Sequence, residues 1–127
     1  MNTLVDSSVW IEFFKGNQDY AFMCALVRLN AICTNDLILT ELLPSILIRK
    51  ERELAELLCT VKQYPLAIDW REIQNIQLLN LKRGNSRIGI PDIIIAQNCM
   101  QNDLRLLTGD KHFAAMAKYI PLKLYKA

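Results

Sequence analysis

Thr3-Leu4-Val5-Asp6-Ser7-Ser8-Val9-Trp10-Ile11-Glu12-Phe13-Phe14 is the stretch on which the fold is read. A short apolar run stops at a carboxylate, two small hydroxyl residues come next, and then an apolar segment with helical spacing. This is the pattern of a buried strand, Thr3–Val5, delivering Asp6 to its C-terminal tip. Ser7 or Ser8 is expected to cap the helix Ser8–Phe14. Ligands of α/β sheets gather beyond the carboxyl ends of the strands, so an acid at that point is a site candidate. The plainer alternative makes Asp6 a helix cap only.

The same alternation continues along the chain. Phe22, Ala25, Leu26 and Leu29 have helical spacing, and Ala31–Thr34 reads as a second strand with Thr34 or Asn35 capping the next helix. That helix, Asp36–Ile48, carries apolar residues nearly all the way round, which predicts burial on more than one side, and Pro44 is expected to kink or break it. Leu54, Leu57, Leu58 and Val61 form a helical stripe between Lys50 and Lys62. Tyr64–Ile68 reads as a third strand, and Asp69 with Glu72 as a capping box opening a helix to about Lys82. A basic, flexible loop, Lys82–Arg87, leads to Pro91 at the first position of another helix. Ile93-Ile94-Ile95 has strand propensity, but the Pro91-Asp92 start signal and the Ala96–Met100 continuation favour helix. Leu104–Thr108 is a fourth strand, Asp110–Lys118 a helix, and Leu122–Tyr125 a closing edge strand. Strands alternating with helices imply a three-layer α/β/α sandwich with a mainly parallel sheet, formed by residues 1–127 as one domain.

Composition narrows the chemistry. Of 127 residues 52% are hydrophobic, and the net charge is +2, so a polyanion has to be held by a local patch or through metal ions. Cys24, Cys33, Cys59 and Cys99 lack ligand or disulfide spacing and are expected as buried free thiols of a reducing cytosol. No secretory leader or bilayer-length apolar run is seen, which makes a cytoplasmic, membrane-free chain the expectation. With one histidine, a zinc site is disfavoured, and His112 is read as structural rather than as part of a serine triad. No phosphate-binding glycine loop is present.

Three acids then fall in equivalent places: Asp6 after the first strand, Asp92 just inside a Pro-started helix, and Asp110 after the Leu104–Thr108 strand. Glu41 is the acid in the interior of the apolar Asp36–Ile48 segment, where a carboxylate should be solvent-facing or bound to something. If the four converge, each pair at about 5 Å repels by roughly 3 kcal/mol at an effective dielectric near 20. A hard divalent cation relieves this, which points to Mg²⁺ or Mn²⁺. Such a site suits phosphodiester hydrolysis by an activated water.

Leu4–Phe14, Leu39-Thr40-Glu41-Leu42-Leu43, Ile90-Pro91-Asp92-Ile93-Ile94-Ile95-Ala96 and Leu107-Thr108-Gly109-Asp110-Lys111-His112-Phe113 together resemble the PIN-domain ribonucleases. More narrowly, they are similar to the VapC toxins of bacterial and archaeal toxin–antitoxin pairs. The resemblance covers essentially the whole chain. It implies a metal-dependent endoribonuclease with Asp6, Glu41, Asp92 and Asp110 as metal-binding acids and Ser8 and Thr108 as supporting hydroxyls. It also implies cellular RNA as substrate, homodimerisation, and a VapB-type antitoxin. The isoleucine run and the single acid between Thr108 and Phe113 depart from the family pattern. Lys15, Lys82, Arg83, Arg87 and Lys111 flank the acidic motifs and are candidate phosphate contacts. Trp10 is expected in the core. A PIN-like module that binds RNA or protein without cutting, and a DNA-directed nuclease of the same fold, are the competing readings. The apolar Asp36–Ile48 segment suggests a face covered by a dimer partner or by an antitoxin.

Overall fold

A computed structural model of the chain describes residues 2–126. Its five strands are β1 (Thr3–Val5), β2 (Ile32–Thr34), β3 (Lys62–Gln63), β4 (Arg105–Leu107) and β5 (Lys123–Leu124). They pair in the order β3-β2-β1-β4-β5, and every pairing is parallel. β1 is therefore central, and its three residues are all buried. Leu4 pairs with Cys33 on one side and Leu106 on the other. The chain runs outward from β1 to β3, then crosses back to β4 on the other side of β1. The strand order thus reverses between β1 and β4.

Seven helices make the crossovers: α1 (Ser7–Phe14), α2 (Met23–Arg28), α3 (Asp36–Ile48), α4 (Arg52–Thr60), α5 (Trp70–Lys82), α6 (Ile90–Gln101) and α7 (Lys111–Met116). Right-handed crossovers put α1–α4 on one face of such a sheet and α5–α7 on the other. The helix contacts divide in the same way, α3 touching α1 and α4, and α6 touching α5 and α7. This is the expected three-layer α/β/α architecture. Ile93, Ile94 and Ile95 lie in α6 and are all buried, so the helix start signal overrides their strand propensity. Trp10 is wholly buried against Phe13 and Phe14.

Several local expectations are corrected. The third strand is Lys62–Gln63, not Tyr64–Ile68. Tyr64 still donates its N–H to the Thr34 carbonyl, but Pro65 has no N–H to continue the ladder. Pro44 does not break α3, which runs through to Ile48. The missing amide leaves the Thr40 carbonyl without its usual donor, and Thr40 is exposed, so water can serve it. Nor is α3 buried on several sides: Ile38, Leu39, Leu42 and Ile46 form one inward stripe, while Leu47 and Ile48 are exposed. Pro91 is the second residue of α6, after Ile90, rather than the first.

The capping box is half made. Asp69 accepts from the amides of Arg71 and Glu72, but Glu72 does not reach back. Gln97 of α6 takes its place, accepting from the Asp69 amide at 3.1 Å and donating to Glu72 at 2.7 Å. The Lys82–Arg87 loop is tied down: Arg83 lies over the Tyr119 ring and Asn85 donates to the Tyr119 hydroxyl. Cys33 and Cys99 are buried free thiols, whereas Cys24 and Cys59 are exposed. Burial pushes the Cys33 thiol up to about 12, and Cys99 is raised by the same cause, so neither is a nucleophile.

Candidate metal centre

The reversal of strand order opens a crevice at the carboxyl ends of β1 and β4, the place where such sheets bind ligands. Asp6 and Thr108 meet there. The Asp6 amide donates to the Leu107 carbonyl at 2.9 Å, extending the ladder by one residue past the strand. Asp6 is only 5% exposed. It occupies the N-cap position of α1, yet its carboxylate makes no capping bond, and neither Ser7 nor Ser8 is the cap. Instead Oδ2 accepts from the hydroxyls of Ser8 at 2.9 Å and Thr108 at 2.8 Å. Among the described residues Oδ1 accepts from none.

The two hydroxyls have further partners that aim them. Thr108 Oγ1 accepts from the Asp110 amide at 3.0 Å, and Ser8 Oγ accepts from the Gly109 amide at 3.2 Å. A side chain at Gly109 would meet the Tyr20 hydroxyl at 3.2 Å, so glycine permits this close approach. Asp110 caps α7 through Oδ1, accepting from the His112 amide at 2.9 Å. Segments about a hundred positions apart are thereby bound into one hydrogen-bonded corner, with one carboxylate oxygen of Asp6 left over.

Asp92 comes from the first turn of α6. One oxygen or nitrogen atom from each of Asp92, Asp110 and His112 lies within 4.8 Å of the others. Burial holds the Asp92 carboxyl above the usual carboxylate range; the charges of Asp110 and Asp6 add to this, and His112 opposes it. Glu41, on the exposed side of α3, is raised by desolvation first and by the charges of Asp6 and Asp92 next, with the Ser7 side chain working the other way. All four expected acids are therefore electrostatically joined. Glu41 is exposed on its helix, yet near enough to the crevice to feel the charges of Asp6 and Asp92.

In the folded state the raised Asp92 and Glu41 bind protons at pH values where the unfolded chain has released them. Stability without metal therefore falls as pH rises from the ordinary carboxylate range through these raised values. In EDTA, the melting temperature is expected to rise as the pH falls through the raised Asp92 and Glu41 values toward the ordinary carboxylate range. Asp92→Asn should flatten that rise in parallel thermal melts. An unchanged slope would mean that Asp92 does not carry it.

Of the expected basic contacts, Lys15 is exposed and lines, together with Glu41, a groove of about 200 Å³ between α1 and α3. Ile11, Phe14, Leu42 and Ile46 supply its apolar lining. Arg49, which no sequence motif singles out, lines it too. Lys111 heads α7 in a hollow with Thr108 and Asp110. Arg83 is held over Tyr119; Lys82 and Arg87 are exposed, and Arg87 lies in the loop before α6. Lys15 also lies 3.9 Å from Glu12, an exposed-side pair of little energetic weight. His112 is the larger omission. A lone histidine beside a helix start carries no periodic partner that would single it out.

A parallel sheet with clustered carboxylates at its topological switch point defines an α/β protein with a candidate cation site between its two halves. The chain belongs to the PIN-domain family, whose family model matches residues 3–119. Similar folds occur in VapBC2 from Rickettsia felis bound to a promoter DNA fragment (TM-score 0.75, 18% identity, covering 98% of this chain and 98% of that one). They occur also in FitAcB from Neisseria gonorrhoeae (TM-score 0.72, 18% identity, 98% and 96%). A toxin–antitoxin complex from Klebsiella pneumoniae has a TM-score of 0.65 at 18% identity, covering 97% and 100%. No curated protein matches the chain in sequence. Among the described residues no helix is long and apolar enough to cross a membrane.

Proposed function

We propose that this chain is a VapC-type endoribonuclease toxin that hydrolyses phosphodiester bonds of cellular RNA with Mg²⁺ or Mn²⁺. The observation that carries the proposal is the charge coupling of Asp6, Glu41, Asp92 and Asp110 around the switch point, Asp92 and Asp110 standing close together and the buried Asp6 keeping one oxygen free of protein donors among the described residues. Acids so coupled are at odds with one another without a cation, and an all-carboxylate majority suits a hard divalent ion. Asp6, Asp92 and Asp110 would hold it, with Glu41 at the outer edge. When bound, such an ion supplies Lewis acidity and lowers the pKa of water.

The side chains have separable duties. Ser8 and Thr108 hold Asp6 in one rotamer, so its free oxygen is aimed before any ligand arrives. Thr108 also fixes the Asp110 backbone. Lys15 and Arg49 line the same groove as Glu41 and are suited to phosphates on one side of a scissile bond, with Lys111 near Asp110 on the other. Membership of a toxin–antitoxin pair, and a homodimer, are part of the same reading. They are supported by folds shared with toxin–antitoxin complexes and by the exposed Leu47 and Ile48 at the end of α3.

The experiment is cleavage of labelled structured RNA, with single- and double-stranded DNA as controls, by purified chain in Mn²⁺, in Mg²⁺ and in EDTA. RNA cleavage in metal, abolished by EDTA, is expected. Undiminished cleavage in EDTA would remove the metal mechanism. RNA binding without cleavage in any metal would replace the enzyme by a binding module, and preferred cutting of DNA would replace the substrate.

A further inference from the structure

His112 is not an acid of the family motif, yet it stands where the acids stand. Its Nδ1 is 3.4 Å from Asp92 Oδ2 and 3.6 Å from Asp110 Oδ1. Those separations exceed a good charged hydrogen bond, which closes to about 2.7–2.9 Å. Neighbouring ligands on one ion stand about 3 Å apart for bonds of 2.0–2.2 Å, so a shift of about half an ångström would bring the three groups onto a shared cation. The backbone fixes this placement, because the His112 amide is held by Asp110 itself and Asp92 enters from the facing first turn of α6. The ring is about one-third exposed and faces the crevice rather than the core.

We propose that His112 is a nitrogen ligand of the cation held by Asp92 and Asp110, and that it shifts the site away from Mg²⁺ toward first-row transition ions such as Mn²⁺. Mg²⁺ takes oxygen donors almost exclusively, whereas imidazole is a good ligand for transition ions, and the remaining carboxylates still suit Mn²⁺. The inference rests on the metal-dependent reading of the site. It goes beyond it by naming a donor and the selectivity that donor confers.

The test uses the full chain stripped of metal, with MnCl₂ and MgCl₂ as the probes and no RNA. Electron spin-echo spectroscopy of the Mn²⁺ complex should show coupling to a ¹⁴N nucleus, lost in His112→Gln. Calorimetric titration of His112→Gln should show Mn²⁺ affinity lower by about tenfold or more, with Mg²⁺ affinity changed much less. Absence of ¹⁴N coupling in the wild type overturns the proposal without any variant, so it stands or falls even if His112→Gln folds poorly. Equal losses for both ions, or tighter binding, would also overturn it, the imidazole then being only a partner of the two acids. Mn²⁺ binding that survives in Asp92→Asn would place the ion elsewhere, and would sink the underlying site reading as well.

Discussion

Asp6→Asn is expected to abolish RNA cleavage, by at least about a thousandfold, in a protein that stays folded. The size comes from the geometry. Asp6 is 5% exposed, and its Oδ2 is spent on two hydroxyl donors, so its contribution to a cation comes through the charge and the one oxygen that remains. Asparagine keeps an acceptor for Ser8 or Thr108 but loses the charge and turns an amide into the place of a ligand oxygen. Removal of a group that anchors the reacting geometry commonly costs several powers of ten. The fold should not suffer in EDTA, because the substitution relieves the repulsion that Asp6 exerts on Glu41 and Asp92. Kinetics on a fluorogenic RNA and melts by circular dichroism check the two halves. Retained activity would remove Asp6 from the chemistry, while a metal-free variant melting well below the wild type would show that Asp6 contributes more to packing than to charge.

Asn98→Leu should destabilise the chain by about 2–4 kcal/mol and lower its melting temperature by roughly 10 °C. Asn98 is 1% exposed in α6. Its Oδ1 accepts from the Asn35 side chain at 3.0 Å, and its Nδ2 donates to the Pro65 carbonyl at 3.2 Å. Asn35 is itself wholly buried and caps α3 by accepting from the Ile38 amide at 2.9 Å. Leucine matches the volume but strands the amide donor of the wholly buried Asn35 and also takes the donor from the Pro65 carbonyl. The bonded pair also joins the N-terminus of α3, which carries Glu41, to α6, which carries Asp92. Urea unfolding gives the free energy directly. A loss below about 1 kcal/mol would mean that water or a local shift repairs the gap.

Legibility in the residue pattern tracks the physical scale of each interaction. β1, β2 and β4 are buried strands whose apolar runs end sharply, so their tips, and the acids beyond them, are visible in the sequence. β3 is two exposed polar residues held by backbone pairing with β2, and polar edge residues leave no hydrophobic signature. The Tyr64–Ile68 segment carries the composition of a strand, yet Pro65 denies it the ladder. Glu41 is legible as an anomaly because a carboxylate in an apolar helix demands a reason. His112, Asn98 and Gln97 are not. Their significance lies in partners 20 to 63 residues away, and no local periodicity encodes such a pairing.

The central place of β1 has a consequence for biogenesis. β1 finds one of its two neighbours only when β4 exists, and the bond from Thr108 to Asp6 spans 102 positions. Pairings of such long range close slowly and late. A nascent chain ending before Thr108 holds β1, α3 and α6 but has neither the hydroxyl that orients Asp6 nor Asp110. The acidic centre therefore cannot be completed before residues 108–110 have been made. Topology alone ties its assembly to the synthesis of β4 and the Thr108–Asp110 segment.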